Sequence, residues 1–106
     1  MKALIASLPA VTSAPHFHRT AFRTPRKIFV TLDEAGRDIT LMFDPDHRDF
    51  ICEQVPAAFS PVPGGWGRGG ATRCDLMVVD EETLLSALTA AYRLAAPKTR
   101  RRNEEP

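Results

Sequence analysis

Hydrophobic and polar residues alternate over three stretches in the first half of the chain, and this period of two predicts strands. We expect a first strand at residues 16–23, a second at residues 27–33 and a third at residues 38–43. Pro25 separates the first two strands, because proline removes a backbone donor. Gly36 can take a positive φ between the other two, so these are predicted to form a hairpin.

The hairpin strands are predicted to send alternate side chains to opposite faces of a sheet. In the second strand one face carries Ile28, Val30 and Leu32, and the other carries Lys27, Phe29 and Thr31. In the third strand the residues expected to point inward are Ile39, Leu41 and Phe43.

A helix is predicted from Pro45 to about Gln54, because Asp44 can accept hydrogen bonds from the first turn and proline suits the first helical position. Its buried stripe is expected to consist of Phe50, Ile51 and Val55. Residues 56–70 are rich in proline and glycine and are predicted to be irregular, followed by a return strand at residues 71–78.

The last predicted helix begins after Asp80, which is a capping residue, and Pro97 stops it. The residues expected to pack on the sheet recur at helical spacing and are Leu85, Leu88, Tyr92 and Ala95. A further short helix is expected at residues 3–8. The predicted architecture is therefore one α+β domain at residues 1–97, in two layers with element order α-β-β-β-α-β-α, and a disordered tail at residues 98–106.

Composition places the chain among globular proteins, with 43% hydrophobic and 25% charged residues. No apolar run approaches the roughly 20 residues of a membrane-spanning helix, and no secretory signal is visible, so we expect a cytoplasmic protein without a membrane partner. Cys52 and Cys74 lie far apart, which favours two free thiols over a metal site or a disulfide.

Several segments together resemble the MmcQ/YjbR family over residues 5–97. The segments that carry the resemblance are 8–9 (LP), 16–23 (HFHRTAFR), 27–32 (KIFVTL), 59–64 (FSPVPG), 66–70 (WGRGG) and 91–97 (AYRLAAP). The resemblance implies an antiparallel sheet covered by helices, of the secretion-chaperone or frataxin-like kind with a double-wing arrangement. It also implies a DNA-binding protein. The chain departs from the family at Ala71, where a second aromatic is usual, and at Arg26, where glycine is usual.

The segment Gly64–Gly70 is the most unusual part of the sequence. Gly65, Gly67 and Gly70 satisfy GxGxxG, but no strand precedes them and no helix is predicted to follow, so a dinucleotide site is rejected. We consider instead that Trp66 stacks on an unpaired base while Arg68 and Arg73 meet phosphates. The alternative is structural: Trp66 folds back to cover the sheet edge, and the glycines permit a tight path.

A second candidate surface lies on the first two strands. Its basic residues are Arg19, Arg23, Arg26 and Lys27, with Phe17 and Phe22 interleaved. Such a surface could follow a phosphate backbone without reading sequence, or it could simply keep the strands soluble.

Neither metal chemistry nor catalysis is predicted. His16 and His18 are expected on one strand face, but a third ligand is not evident, and His47 lies on a different element. The two cysteines lack a histidine partner, and the carboxylates form no recognisable pair. We therefore expect no cofactor, no metal and no enzymatic activity.

The sequence favours an accessory protein that binds DNA or another nucleic acid weakly and without sequence specificity. This hypothesis depends mainly on the family resemblance, because the net charge of only +1 gives no bulk attraction to nucleic acid. The alternative is a protein-interaction or chaperone-like adaptor that offers a sheet edge or helix groove to a partner protein.

Overall fold

A computed structural model describes residues 5, 8, 10–16 and 18–96. Most of the predicted N-terminal helix and all of the predicted tail lie outside the described residues. The described elements, in chain order, are β1 (Thr12–His16), β2 (Arg19–Arg23), β3 (Ile28–Asp33), β4 (Asp38–Met42), α1 (Pro45–Gln54), β5 (Phe59–Pro61), α2 (Gly65–Arg68), β6 (Ala71–Asp75) and α3 (Glu81–Ala95).

The strands form one open sheet of six, in the order β1-β2-β3-β4-β6-β5, and every neighbouring pair is antiparallel. The predicted hairpin is confirmed, with Val30 opposite Leu41 and Leu32 opposite Ile39. The α+β class and the predicted element order are confirmed as well. The sheet adds two strands to the four predicted, and the short helix α2 is also additional.

The predicted first strand at residues 16–23 is divided by a reversal of the chain. His16 ends β1 and Arg19 begins β2, and these two residues lie opposite each other. The sequence of β1, TSAPH, contains no large apolar residue, so hydrophobic alternation could not reveal it.

One face of the sheet carries the hydrophobic core and both long helices. Ile51 of α1 and Leu88 of α3 share this core with sheet residues such as Val30, Leu41 and Cys74. Helix α3 begins at the predicted cap, because the Asp80 side chain accepts a hydrogen bond from the Thr83 backbone N–H at 2.7 Å. Hydrogen bonds from Thr83 also hold the pKa of Asp80 below its usual value.

One leucine of α3 does not occupy its predicted place, and its neighbour packs on the sheet instead. Leu85, expected on the sheet, is 39% exposed, whereas the neighbouring Leu84 is buried. The stripe that faces the core recurs at three- and four-residue steps and consists of Leu84, Ala87, Leu88, Ala91 and Ala95. Tyr92 packs edge-on against Phe29 of β3 from the border of that stripe, with ring centroids 5.6 Å apart.

Helix α1 has the predicted bounds and cap, but one residue of its predicted stripe points to solvent. Phe50 is 62% exposed, while Ile51 is buried and Val55 half-buried. Because successive helical residues are about 100° apart, a helix that directs Ile51 to the core turns Phe50 away from it.

A bulge in β3 changes the predicted alternation of its side chains. Phe22 lies opposite Val30 but Arg23 lies opposite Ile28, so Phe29 is an extra residue in β3. Such a bulge brings two consecutive side chains towards one side of a sheet. Phe29 therefore packs in the core beside Val30, where it contacts Tyr92, and does not share the face of Thr31.

The predicted irregular segment at residues 56–70 contains the edge strand β5 and the single helical turn α2. The return strand ends at Asp75, earlier than expected, because the chain turns there: Asp75 accepts hydrogen bonds from the backbone of Met77, Val78 and Val79. Within the described ranges, no helix is long and apolar enough to cross a membrane.

The turn between β2 and β3 is fastened to the end of α3 by one buried hydroxyl. Thr24 is 1% exposed, and its Oγ1 donates to the Ala95 carbonyl at 2.6 Å. The same oxygen accepts from the backbone N–H groups of Arg26 and Lys27 at 3.2 and 3.3 Å. One side chain thus shapes the turn and holds it against the helix.

Replacing Thr24 with valine removes these bonds while preserving the shape of the side chain. We expect Thr24→Val to lower the free energy of unfolding by roughly 1–3 kcal/mol, because it leaves buried polar groups without partners. Urea unfolding measures this change, and Thr24→Ser, which keeps the hydroxyl, is the control. Equal stability of Thr24→Val and the unaltered protein would contradict this role.

Candidate nucleic-acid interface

The loop that carries Trp66 is fixed by backbone contacts that only glycine permits. A Cβ atom on Gly67 would lie 1.6 Å from the Val62 carbonyl oxygen. A Cβ atom on Gly70 would lie 2.1 Å from the Phe43 carbonyl oxygen, and Gly70 also has φ +115°. Both glycines are therefore required by close packing of backbone against backbone.

Two side-chain bonds hold the same loop from outside. Arg48 of α1, which is half-buried, donates from Nη1 to the Gly67 carbonyl, and this bond ties the helix to the last turn of α2. Thr72 of β6 donates from Oγ1 to the Gly70 carbonyl at 2.9 Å. The turn that begins at Trp66 is thus held by the close backbone contacts of Gly67 and Gly70 and by the side chains of Arg48 and Thr72.

Trp66 lies against the face of the sheet that carries no long helix. Its indole is 55% exposed and nearly parallel to the His16 ring, with an angle of 18° and centroids 6.2 Å apart. His16 belongs to the edge strand β1, four places from β6 in the sheet. The sheet must therefore curl, so that β1 approaches the loop that precedes β6. Trp66 lies across the open face of this curled sheet, and not only over the sheet edge that the structural alternative predicted.

The curled open face and the Trp66 loop enclose a groove of about 570 Å³. Its lining residues are Arg23, Arg26, Lys27, Ile28, Met42, Phe43, Gly65, Trp66, Gly69 and Ala71. Four of the seven residues predicted to bind nucleic acid, three cations and the tryptophan, meet here although about 40 residues of sequence separate them. The floor is apolar, and no carboxylate of the described chain lines the groove.

The three cations of the groove are not equivalent. Arg26 donates from Nη1 to the carbonyls of Leu94 and Ala96, at 3.3 and 3.1 Å, and so caps the C-terminal end of α3. Arg23 uses Nε for the Thr24 carbonyl, and in the described part of the chain neither Arg23 nor Lys27 has an ion-pair partner. These two exposed side chains are the ones available to an anion.

A small cleft of about 150 Å³ extends from one end of the groove and has a carboxylate at its rim. It shares Lys27 and Met42 with the groove and is also lined by Asp44. The Asp44 carboxylate already accepts a hydrogen bond from the His47 backbone at 2.8 Å, as the cap of α1. This end of the groove is therefore less favourable to a phosphate than the end beside Arg23.

Two other predicted cations are compensated by one carboxylate. Arg19 and Arg73 approach Asp38 with N–O distances of 2.9 and 3.3 Å. The nearer contact joins Arg19 Nη2 to Asp38 Oδ1, and it is an ion pair whose angles do not meet those of a hydrogen bond. Arg73 is half-exposed, but part of its charge is already neutralised, and Arg68 does not line the groove. Their roles in binding remain predictions.

One of the two predicted aromatic partners of the basic strand, Phe22, does not lie on the basic surface. Phe22 is 2% exposed and belongs to the core, on the face opposite to Arg23, as alternation along β2 requires. Phe17 lies outside the described residues. The interleaving of Phe22 with the basic residues therefore reflects only sequence adjacency, and the exposed aromatic side chain that lines the groove is Trp66.

Several residues of the open face were not singled out from the sequence. Thr31 and Thr40 lie opposite each other on β3 and β4, a pairing that the predicted hairpin and its register would have revealed. Ile28 and Met42 were assigned to strands but not to a site. Sequence periodicity shows which residues share a face, but it does not show which face the helices leave open.

The histidines and cysteines do not gather into a reactive cluster in the described ranges. His16 ends β1 and His18 lies in the turn, so the prediction that they share a strand face is wrong. No group of three potential metal-ligating side chains occurs among the described residues. Both cysteines are free thiols, and burial, with smaller effects of Asp75 and Asp38, raises the pKa of Cys74 to about 12.

Comparison with known proteins agrees with this architecture. The model of the YjbR family matches residues 6–94. A search among curated proteins finds no match. Among solved structures, the crystal structure of Deinococcus radiodurans protein DR2400, with the family-model domain DUF419, is similar with a TM-score of 0.71 and 16% identity, covering 88% of this chain and 73% of that chain. At this identity the likeness shows the fold.

The close approach at Gly67 can be tested with a single methyl group. We expect Gly67→Ala to lower the free energy of unfolding by roughly 1–3 kcal/mol, because the added carbon overlaps the Val62 carbonyl. Gly69→Ala is the control, since its Cβ would meet the nearest atom at 3.5 Å. Urea unfolding followed by circular dichroism and by Trp66 emission compares them. Equal effects of the two substitutions would refute the packing constraint.

The raised pKa of Cys74 predicts that this thiol is inert in the native protein, because the thiolate is the reactive form. At pH 8 we expect Ellman's reagent to modify Cys52 slowly and Cys74 only after unfolding. An unfolded chain would ionise Cys74 near pH 9, so the contribution of this thiol to stability is full below that pH and is lost towards pH 12. Similar native rates for both thiols would contradict the assignment.

Proposed function

The chain belongs to the YjbR family, and from the geometry of its basic groove we propose that it is a non-enzymatic accessory protein that binds single-stranded nucleic acid weakly. The observation that carries the proposal is the meeting of Arg23, Lys27 and an exposed Trp66 in one groove. Cations meet phosphates and an aromatic ring stacks on a base, which are the two contacts that single-strand binding requires.

A single strand fits this groove better than a duplex. The exposed indole can stack only on a base whose face is accessible, and the faces of paired bases are covered by their neighbours in a helix. The apolar floor of Ile28, Met42 and Ala71 also favours a flat aromatic ligand over a bare phosphate backbone.

The charge arrangement supports weak binding. Arg23 and Lys27 are available to phosphates, and Arg26 contributes its charge from its position at the C-terminal end of α3. The net charge of the chain is only +1. A site with at most three phosphate contacts gains little from counterion release, and a salt-sensitive affinity in the micromolar range is expected.

The proposal that the protein is not an enzyme rests on the protonation state of its two cysteine thiols. Burial raises the pKa of both Cys52 and Cys74, so neither thiol is prepared to act as a thiolate at neutral pH. The groove itself contributes cations, apolar side chains and an indole, which suit binding and not proton transfer.

Titration of labelled single- and double-stranded DNA at two salt concentrations tests the binding. If three cations each meet a phosphate, we expect affinity for the single strand to fall roughly 18-fold between about 50 and about 200 mM salt. The double variant Arg23→Ala with Lys27→Ala should weaken binding and lower the magnitude of the logarithmic salt slope by about 0.7 for each contact removed.

The matched control is Arg37→Ala, which removes one exposed cation from the turn at the opposite end of β3. It should leave the affinity and the salt slope unchanged. No salt-dependent signal at tens of micromolar protein, or equal losses in Arg37→Ala and Lys27→Ala, would refute the proposal. A protein partner that persists after nuclease digestion and survives Arg19→Ala with Arg23→Ala would favour the adaptor role instead.

A further inference from the structure

A second, smaller cleft adjoins the groove at Trp66, which lines both. Its volume is about 280 Å³, and its lining residues are His16, Arg19, Thr31, Thr40, Val62 and Trp66. It is made by residues of four strands and the Trp66 loop, so it exists only because the sheet curls under that loop. This cleft is separate from the groove on which the proposed function depends.

The polar side of this cleft is built around one immobilised guanidinium group. Arg19 donates from Nε to Thr31 Oγ1 at 2.8 Å and from Nη2 to the Thr31 carbonyl at 3.1 Å. Nη2 also approaches Thr40 Oγ1 at 3.5 Å and forms the ion pair with Asp38. The orientation of Arg19 is therefore fixed by the sheet before any ligand arrives, which lowers the entropic cost of using it.

One group on this side of the cleft can only donate. Among the described residues, Arg19 Nη1 has no hydrogen-bond partner, and a guanidinium nitrogen cannot accept a hydrogen bond. The Thr40 hydroxyl accepts from Arg19 but keeps a hydrogen and a second lone pair, so it can donate to a ligand or accept from it. Arg19 is therefore complementary to a ligand edge that presents an acceptor, and Thr40 can adapt to either kind of neighbour.

The remaining walls suit a flat ring. The His16 and Trp66 rings are nearly parallel, with centroids 6.2 Å apart, which is within the range of roughly 4.5–7 Å for a directly interacting aromatic pair. A ligand ring would therefore stack on the exposed surface of Trp66, beside His16. Val62 supplies an apolar contact beside them. Because Trp66 is half-exposed, its side chain can adjust without disturbing the core.

We infer that this cleft is a subsite for one unpaired guanine of a nucleic-acid strand whose phosphates lie in the basic groove. Guanine presents O6 and N7 as adjacent acceptors, the pair that arginine recognises most often. Adenine has the same size and stacking surface, but it replaces O6 with an amino donor, which would face the Arg19 Nη1 donor. Adenine is therefore disfavoured at this position.

The inference rests on the proposed function, and its test separates the two. Nine-nucleotide adenine strands that carry guanine, hypoxanthine, adenine or an abasic residue at the centre are titrated by fluorescence anisotropy. Hypoxanthine keeps O6 and N7 but lacks the second amino group. We expect guanine and hypoxanthine strands to bind roughly 5-fold or more tightly than the all-adenine strand, and the abasic strand to bind most weakly.

The two arginines that share Asp38 provide a matched pair of variants. Arg19→Lys keeps a cation beside Asp38 but removes the Nη1 donor and should bring the guanine-to-adenine affinity ratio towards one, whereas Arg73→Lys, outside the cleft, should retain the ratio. Circular dichroism confirms that each variant is folded, and the base series itself needs no variant. Trp66 is the only tryptophan of the chain, so quenching of its emission reports stacking directly.

The outcomes are distinct. Salt-dependent binding that is equal for guanine, adenine and abasic strands would overturn the guanine subsite while leaving the phosphate-binding groove in place. An unchanged guanine preference in Arg19→Lys would also overturn the assignment of the donor. Absence of binding to all four strands would overturn both the subsite and the proposed function.

Discussion

Backbone packing at Gly67 and Gly70 is the constraint on which the rest of the structure depends. These glycines bring the β5–β6 connection against the carbonyls of Val62 and Phe43, closer than any side chain allows. The contacts hold the intervening turn over the open face, and Arg48 fastens that turn to α1. Without this placement the basic residues of β2 would lie on an ordinary solvated strand. With it, Arg23 and Trp66 line the same groove.

The cations of the open face are divided between structural and available roles by their partners. Arg19 is held by Thr31 and Asp38, and Arg26 caps the carboxyl end of α3. Arg23 and Lys27 have no such ion pair within the described ranges, so their charges remain directed at solvent in the groove. This division explains how a chain of net charge +1 can still present a local group of cations without ion-pair partners in the described ranges. These cations lie on one short segment, at the turn between β2 and β3.

Local sequence signals predicted those parts of the fold that depend on interactions between residues close together in the chain. The caps Asp44 and Asp80 and the alternation of β4 were sufficient to place two helices and a hairpin. Phe50 and Leu85 were misassigned because each helix has an apolar neighbour one position away that packs inward instead. The bulge at Phe29 and the strand β1 depend on pairing with β2 and leave no periodic signal. Likewise the sequence supplied the residues of the site, but only the curl of the sheet brings Trp66 to Arg23 and Lys27.

The most direct test of this account follows backbone and indole resonances by NMR while a short single-stranded DNA is added. The account predicts shifts confined to the turn at residues 24–27, the loop at residues 64–70 and the open-face strands, together with a shift of the single Trp66 indole N–H. The outer surfaces of α1 and α3 should stay unperturbed. Shifts centred on those helices, or an indole resonance that does not move at saturation, would contradict the claim that the Trp66 loop and the basic turn form one binding groove.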